Sequence, residues 1–279
     1  MTAITDRSHA LETSLAAAQR AAALIMRVYA EGFDVEYKGK DDPVTRADKE
    51  ANALLCDALE AAFPGVPVVA EESDPNTFTR FREAREVFFV DPLDGTREFV
   101  ARNGQFCVMI GLAEEGRATM GIIVCPALGE TLAGGDGLGA FTMTPTGERS
   151  PVRVTTVRDL AAAEVVVSRT HAPASLSSFG AHLGVRLVSP VGSSGVKGVY
   201  IASGKADAYV QAGPAGCLWD TCAVEGIVHG AGGRMTDGHG NPFDYRAPEL
   251  RVTTGVLATN GLVHDELLRR LAAARVPQG

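Results

Sequence analysis

Residues 87–99 read VFFVDPLDGTREF, and this stretch decides how the rest of the chain is interpreted. Four apolar residues suited to a buried strand run directly into Asp91 and Asp94, which are three positions apart. Proline and glycine are ordinary turn residues, but a turn does not need two carboxylates. Gly95 lets backbone N–H groups approach a ligand closely, and a short helix from Thr96 would favour an anion at its N-terminus. The stretch therefore predicts a strand that ends in a site for metal and phosphate.

Acidic residues also follow other predicted strands or precede predicted helices. Glu71 and Glu72 follow the strand VPVVA (66–70), and Asp220 precedes an amphipathic helix. Ligands bind at strand ends in open α/β sheets, and oxygen ligands without His or Cys suit hard cations such as Mg2+. Each group also has a simpler interpretation: a helix N-cap for Asp220, a solvated loop for the two glutamates, and a plain turn for DPLDG. The strand-end placement of all of them favours a centre for more than one Mg2+.

Hydrophobic periodicity predicts a layered fold of the α/β (α+β) class. Apolar residues recur at helical spacing over 11–29, and a second helix is predicted over 45–63. Strands then follow one another in a meander, whereas strands and helices alternate nearer the C-terminus. The stretch PTGERSP (145–151) suggests two halves. The predicted halves are 1–148, with Glu71 and the DPLDGT site, and 149–279, with Asp220 and residues on the substrate side.

Composition excludes several classes of protein. The net charge of -8 over 279 residues gives no basic field for a nucleic acid polymer. No apolar run approaches the roughly 20 residues of a membrane span, so no integral membrane segment is expected. Five scattered cysteines without a C-x-x-C pair fit reduced thiols. These features predict a cytoplasmic protein.

Three acidic segments together carry a family resemblance: Glu71-Glu72, DPLDGT (91–96) and Trp219-Asp220. They resemble the signature of the lithium-sensitive, magnesium-dependent phosphatase superfamily that includes inositol monophosphatase. Within it the chain is most similar to bacterial 3′(2′),5′-bisphosphate nucleotidases, through segments that include 40–52, 94–99, 165–172, 191–197 and 237–245. The resemblance implies a layered α-β-α-β-α sandwich of the inositol monophosphatase type. It also implies hydrolysis without a covalent intermediate, by a monomer or homodimer with two or three Mg2+ per site.

The same resemblance implies ligands for the cations. Glu71, Asp91 and the backbone carbonyl of Leu93 would hold the first Mg2+. Asp91, Asp94 and Asp220 would hold the second, with Asp94 counted among the catalytic residues. One metal makes hydroxide available near neutral pH, and a pair clamps the attacking and leaving oxygens in line.

Other residues are expected to act on water and substrate. The resemblance implies that Glu71 and Thr96 orient the attacking water, and that Asp48 helps with that water or with a third metal. The substrate phosphate would also meet residues of the metal site, namely Glu71, Leu93, Asp94, Gly95, Thr96 and Asp220.

The residues that follow DGT bear on the choice of substrate. Inositol phosphatases usually carry a small residue and then Asn-Phe, whereas Arg97-Glu98-Phe99 is the form typical of bisphosphate nucleotidases. The resemblance implies that Ser168, Arg169 and His171 meet the nucleotide, and that Ser193, Ser194 and Lys197 lie near a phosphate. His171 and Lys197 also have a simpler interpretation as surface or solvated residues. The expected reaction converts 3′-phosphoadenosine 5′-phosphate to AMP and phosphate.

Three alternatives remain. The segment QAGPAGC (211–217) lacks the basic or aromatic residues that many nucleotidases place around adenine, so an inositol-1-monophosphatase or broader sugar-phosphate phosphatase stays open. Haloacid-dehalogenase-type phosphatases carry D-x-D-G-T, with one residue fewer between the acids. A catalytically silent metal- and phosphate-binding protein is disfavoured, because all the acidic residues of the signature and Thr96 are present.

Overall fold

A computed structural model describes residues 4, 6–39, 42–78, 80–170, 175–188 and 190–275. The helices in these ranges are α1 (Arg7–Glu31), α2 (Arg46–Ala62), α3 (Thr96–Val100), α4 (Leu176–Leu183), α5 (Ser194–Ala202), α6 (Trp219–Gly230) and α7 (His264–Arg275). Among the described residues, no helix is both long and apolar enough to cross a membrane.

The strands form a two-stranded hairpin and two larger sheets. The hairpin pairs β1 (Val35–Gly39) with β2 (Asp42–Thr45). The seven-stranded sheet has the order β3 (Val68–Ala70), β4 (Glu86–Asp94), β5 (Cys107–Glu114), β6 (Arg117–Cys125), β7 (Glu130–Gly135), β8 (Gly139–Met143) and β9 (Arg149–Pro151). The five-stranded sheet is built from β10 (Glu164–Val167), β11 (Arg186–Leu187), β12 (Ala208–Gln211), β13 (Arg234–Asp237) and β14 (Val256–Thr259), in the order β11-β10-β12-β14-β13.

These elements stack in five layers. Helices α1 and α2 cover one face of the seven-stranded sheet. Helices α5 and α6 lie between its other face and the five-stranded sheet, whose far side is covered by α4 and α7. Strand β4 is buried on both faces, because Phe88 and Val90 contact the first helical layer while Val87 and Phe89 contact the middle one. A strand buried on both faces is a continuous apolar run. The predicted α-β-α-β-α sandwich is confirmed.

Local signals in the sequence account for the helix boundaries near the N-terminus. Helix α1 begins after Asp6, whose carboxylate accepts from Ser8 N at 2.8 Å, and ends before Gly32, which has a φ of 95°. Helix α2 begins with a capping box formed by Thr45 and Asp48. The hairpin between these helices falls in the polar stretch EYKGKDDP (36–43), whose residues show no apolar alternation that would predict strands.

The predicted halves share the central layers of the sandwich. Strand β9 lies beyond the predicted boundary at 148/149 and pairs with β8 of the first half. Helix α6, from the second half, packs across the seven-stranded sheet. The division into 1–148 and 149–279 therefore stays a prediction. Residues from both predicted halves surround the acidic residues.

Helix α6 carries a buried carboxyl that makes stability depend on pH. Glu225 accepts a hydrogen bond from the Tyr245 hydroxyl at 2.6 Å. Burial raises its pKa from 4.5 to about 7, although the Tyr245 hydrogen bond opposes this. The folded protein therefore retains a proton that the unfolded chain loses above pH 4.5, so this contribution to stability is complete below pH 4.5 and is lost as the pH rises through 7.

We expect Glu225→Gln to remove this pH dependence, because a neutral amide keeps the contact with Tyr245. The wild type should lose on the order of 3 kcal/mol of unfolding free energy, relative to the variant, between pH 4.5 and pH 8. Urea unfolding of both proteins at these pH values measures the difference. A constant difference at all pH values would show that the pKa of Glu225 is the same in the folded and the unfolded protein.

Candidate active site

Three carboxylates converge where β4 ends and α6 begins. Asp91, Asp94 and Asp220 each place an oxygen within 4.8 Å of the others. In a regular strand, residues three apart point to opposite faces, but the pairing of β4 with β5 is irregular between Asp91 and Asp94. This irregularity redirects the chain, and it accounts for both acids of DPLDG lying on one side. Asp220 lies in the first turn of α6, whose N-cap is Leu218. The interpretation of Asp220 as a helix N-cap is therefore wrong.

Hydrogen bonds orient each of these carboxylates. Asp94 Oδ2 accepts from the Ser193 hydroxyl and from Gly195 N, the latter at 2.7 Å, and Cys107 Sγ lies 3.6 Å away. Asp91 Oδ1 accepts from the amide of Leu93 at 3.0 Å, and Asp220 Oδ2 accepts from the amide of Cys217 at 2.6 Å. The acids are held in place by residues from both halves of the chain.

The electrostatics of this cluster fit a divalent cation. Burial raises the pKa of Asp91 well above its usual range, and repulsion from Glu71, Asp94 and Asp220 raises it further. The pKa of Asp220 is raised for the same two reasons, burial first. Buried carboxylates this close are not all ionised without an added positive charge. Because every donor is an oxygen, Mg2+ suits the group better than zinc or copper.

Glu71 lies beside this cluster and forms an ion pair with Lys38, a contact that sequence analysis did not predict. Its backbone N–H donates to Val90 O of β4 at 3.1 Å, and its carboxyl shares a hydrogen bond with Asp91. Lys38 Nζ of the β1–β2 hairpin lies 2.9 Å from Glu71 Oε1 and 2.6 Å from Glu72 Oε1. Burial raises the pKa of Glu71, and Lys38 opposes that shift. A lysine 33 positions away leaves no local signal of this contact.

Asp48 is linked to the end of β4 by a hydrogen bond from the Thr96 hydroxyl. Thr96 Oγ1 lies 2.8 Å from Asp48 Oδ1 and 3.1 Å from the carbonyl oxygen of Leu93. Asp48 Oδ2 accepts from both the amide and the hydroxyl of Thr45, each at 2.7 Å. Asp48 is buried, which raises its pKa, while its hydrogen bonds from Thr45 and Thr96 lower it. Asp48 Oδ1 thus fixes the orientation of the Thr96 hydroxyl, which lies beside the end of β4.

An open cleft of about 220 Å3 leads to the acids. Eight of the predicted site residues line it, namely Asp94, Gly95, Thr96, Ser168, Ser193, Ser194, Lys197 and Asp220. Glu71 and Leu93, also predicted to contact substrate, do not line it, and the Leu93 side chain is buried. His171 lies outside the described residues. Cleft residues that sequence reasoning missed are Asp42, Pro43, Thr170, Gln211, Ala215 and Gly216. All six lie in segments that were compared with the nucleotidases, 40–52, 165–172 and 211–217, but only the tertiary structure shows that these particular residues reach the cleft.

Lys197 is a buried cation under the cleft. Its Nζ donates to Ser193 O at 2.6 Å and lies 5.1 Å from the centroid of the Tyr209 ring. Burial lowers its pKa to about 8, although the carboxylates of Asp94 and Asp220 oppose this. The interpretation of Lys197 as a solvated helix residue is therefore wrong, since only 3% of it is exposed.

Known proteins share this arrangement of fold and sequence. Residues 6–276 match the inositol monophosphatase family. The chain is 35% identical over 240 residues to the 3′(2′),5′-bisphosphate nucleotidase CysQ of Escherichia coli O157:H7, covering 85% of this chain and 94% of that protein. It is 32% identical over 283 residues to the 3′(2′),5′-bisphosphate nucleotidase 1 of Homo sapiens, covering 87% of each. The Thermotoga maritima IMPase structure superposes with a TM-score of 0.77 at 26% identity, covering 95% of this chain and 97% of that one.

These matches decide between the two phosphatase types that carry Asp-rich strand ends. A haloacid-dehalogenase-type assignment is excluded, since the match to the other family spans nearly all of the described residues. The acidic centre, the five-layer sandwich and the matched segment agree. The chain belongs to the inositol monophosphatase family.

Proposed function

We propose that this chain is a Mg2+-dependent phosphomonoesterase that converts 3′-phosphoadenosine 5′-phosphate to AMP and phosphate in the cytoplasm. The observation that carries the proposal is the convergence of Asp91, Asp94 and Asp220 at the cleft. The substrate is supported by similarity to bisphosphate nucleotidases over most of the chain. We also propose that the site holds two or three cations.

The residues present suit a metal-assisted hydrolysis. Glu71, Asp91, Asp94, Asp220 and the carbonyl of Leu93 would hold the cations. When bound, Mg2+ makes hydroxide available near neutral pH and neutralises charge on the phosphoryl group.

The chain's own residues position the reactants. Asp48 fixes the Thr96 hydroxyl, which can then orient a water molecule at the end of β4. Gly95 lines the cleft with a φ of 90°, and a Cβ there would lie 2.9 Å from Gln105 O. Only glycine therefore fits where the backbone approaches the phosphate. Ser168 and Ser194 add hydroxyls to the cleft wall, and Lys197 adds a positive charge beneath it. These groups are suited to a second phosphate.

An inositol or sugar phosphate is the second candidate substrate. The segment from Gln211 to Cys217 contributes only Gln211, Ala215 and Gly216 to the cleft wall. None of these side chains is aromatic or basic, so this part of the wall has no group on which adenine could stack. A smaller polyol phosphate needs no such surface.

Phosphate release with Mg2+ tests the proposal directly. We expect kcat/KM for 3′-phosphoadenosine 5′-phosphate to exceed that for inositol 1-phosphate by about a hundredfold, or roughly 2.7 kcal/mol. Addition of EDTA should abolish turnover of both, because the buried carboxylates then repel one another and the developing charge.

Each outcome assigns a different function. Equal or reversed preference would replace the nucleotidase proposal with the inositol or sugar phosphatase. Unchanged turnover in EDTA would contradict the metal dependence. Absence of turnover with every phosphate ester would leave a silent binding protein.

A further inference from the structure

An ion pair between a buried carboxylate and a partly exposed arginine joins α3, at the phosphate end of the cleft, to the segment that follows β10. Arg169 Nη1 lies 2.6 Å from Glu98 Oε2, and Arg169 Nη2 donates to Gln105 Oε1 at 2.7 Å. Glu98 belongs to α3 and is 5% exposed. Asn103 Nδ2 also donates to Glu98 Oε2. Charge-assisted hydrogen bonds are stronger than neutral ones, and here the carboxylate is buried while the Arg169 side chain is 39% exposed.

This pair holds the segment that forms one wall of the cleft. Ser168 and Thr170 line the cleft, and the guanidinium of Arg169 between them contacts Glu98, which also lines the cleft. The backbone is also tied down, since Arg169 N donates to Val191 O at 3.0 Å. The position of both cleft-lining side chains therefore depends on the anchored arginine between them.

The same contacts reach the segment before α5. Arg169 Nη2 lies 3.3 Å from Pro190 O, and Gln105 Oε1 accepts from Gly192 N at 2.9 Å. Gly192 packs so closely that a Cβ would lie 2.2 Å from Glu98 Oε1. The next residue, Ser193, has a φ of 60°, a strained conformation for a residue with a side chain. Its hydroxyl donates to Asp94, so the segment is held from both ends.

We propose that Glu98 is a positioning residue that determines specificity for the nucleotide, acting through Arg169. The carboxylate neutralises the guanidinium and holds Ser168 and Thr170 where the nucleoside part of the substrate passes along the wall. A phosphate ester without a nucleoside reaches only the acidic end of the cleft and does not depend on that wall. This inference rests on the proposed nucleotidase function.

Steady-state kinetics of Glu98→Gln, Arg169→Met and the double variant test the inference. The two substrates are 3′-phosphoadenosine 5′-phosphate and p-nitrophenyl phosphate, both with saturating Mg2+. We expect kcat/KM for the nucleotide to fall about tenfold or more in each single variant, mainly through KM. The fall in kcat/KM with p-nitrophenyl phosphate should stay within about threefold. For the nucleotide, kcat/KM of the double variant should be no lower than that of the less active single variant, because both changes break the same contact.

The surface pair Arg149–Glu12 supplies a matched control. Both residues are exposed and neither lines the cleft, so Glu12→Gln should leave both substrates unaffected. Equal losses on both substrates, no loss, or additive losses in the double variant would overturn the inference. Arg169→Met gives a second route if Glu98→Gln does not fold, since Arg169 is partly exposed. Failure of the proposed function is visible separately, as absence of nucleotide preference in the wild type.

Discussion

Replacing Asp94 with asparagine is expected to lower kcat/KM by about a thousandfold or more while the fold stays intact. The side-chain carbonyl of asparagine can still accept from Gly195 N and the Ser193 hydroxyl. Its NH2 group then takes the place of the second carboxylate oxygen, and an NH2 group neither ligates a cation nor carries a charge. Loss of the transition-state stabilisation from one cation is worth several kcal/mol, about a thousandfold for 4 kcal/mol.

Turnover of 3′-phosphoadenosine 5′-phosphate and Mg2+ binding by calorimetry measure the effect on Asp94→Asn. The melting temperature in EDTA should match that of the wild type within a few degrees, since the hydrogen bonds persist. Asp57→Asn makes the same change on the exposed side of α2 and serves as the control. Near-native activity of Asp94→Asn would show that the two-metal assignment is wrong.

Gly121→Ala is expected to cost about 3 kcal/mol or more of unfolding free energy. A Cβ at Gly121 of β6 would lie 2.0 Å from Ala223 O of α6. Gly111 and Gly226 also pack tightly against the partner element, since a Cβ on either would lie 2.6 Å from backbone or side-chain atoms. Helix α6 cannot withdraw without disrupting the layer beyond, because its other side packs toward the five-stranded sheet.

Chemical unfolding of Gly121→Ala in EDTA measures this cost without the contribution of bound metal. Gly39→Ala is the control, since no atom lies within 4 Å of its Cβ and its φ is ordinary. Any folded Gly121→Ala should also bind Mg2+ more weakly, because α6 carries Asp220 at its first turn. A change below about 1 kcal/mol would contradict the close contact between α6 and β6.

Much of the fold is predictable from short stretches of the chain. The periodicity of the first helix, the second helix predicted over 45–63 and the buried run of β4 each depend on residues within a few positions, and the structure confirms them. The hairpin β1–β2 could not be predicted in this way. Its strands are largely exposed, so no hydrophobic pattern distinguishes them from a loop.

The candidate site was also predictable only in part. The acids of the DPLDGT stretch and Asp220 are recognisable because metal chemistry requires those residue types at those places, and the structure brings Asp91, Asp94 and Asp220 together. The residues that contact these acids could not be predicted, because they lie far away in the chain. Lys38 meets Glu71 across 33 positions, Ser193 meets Asp94 across 99, and Arg169 meets Glu98 across 71.

The sequence by itself thus determined the helices, the buried strand and which acids converge at the cleft, because caps, periodicity and ligand chemistry are local properties. Only the tertiary structure decided which cation neutralises which acid, how deep α6 lies, and which side chains line the cleft. Those contacts join residues far apart in the chain, and the free energy that selects them comes from packing of whole layers. No short segment encodes it.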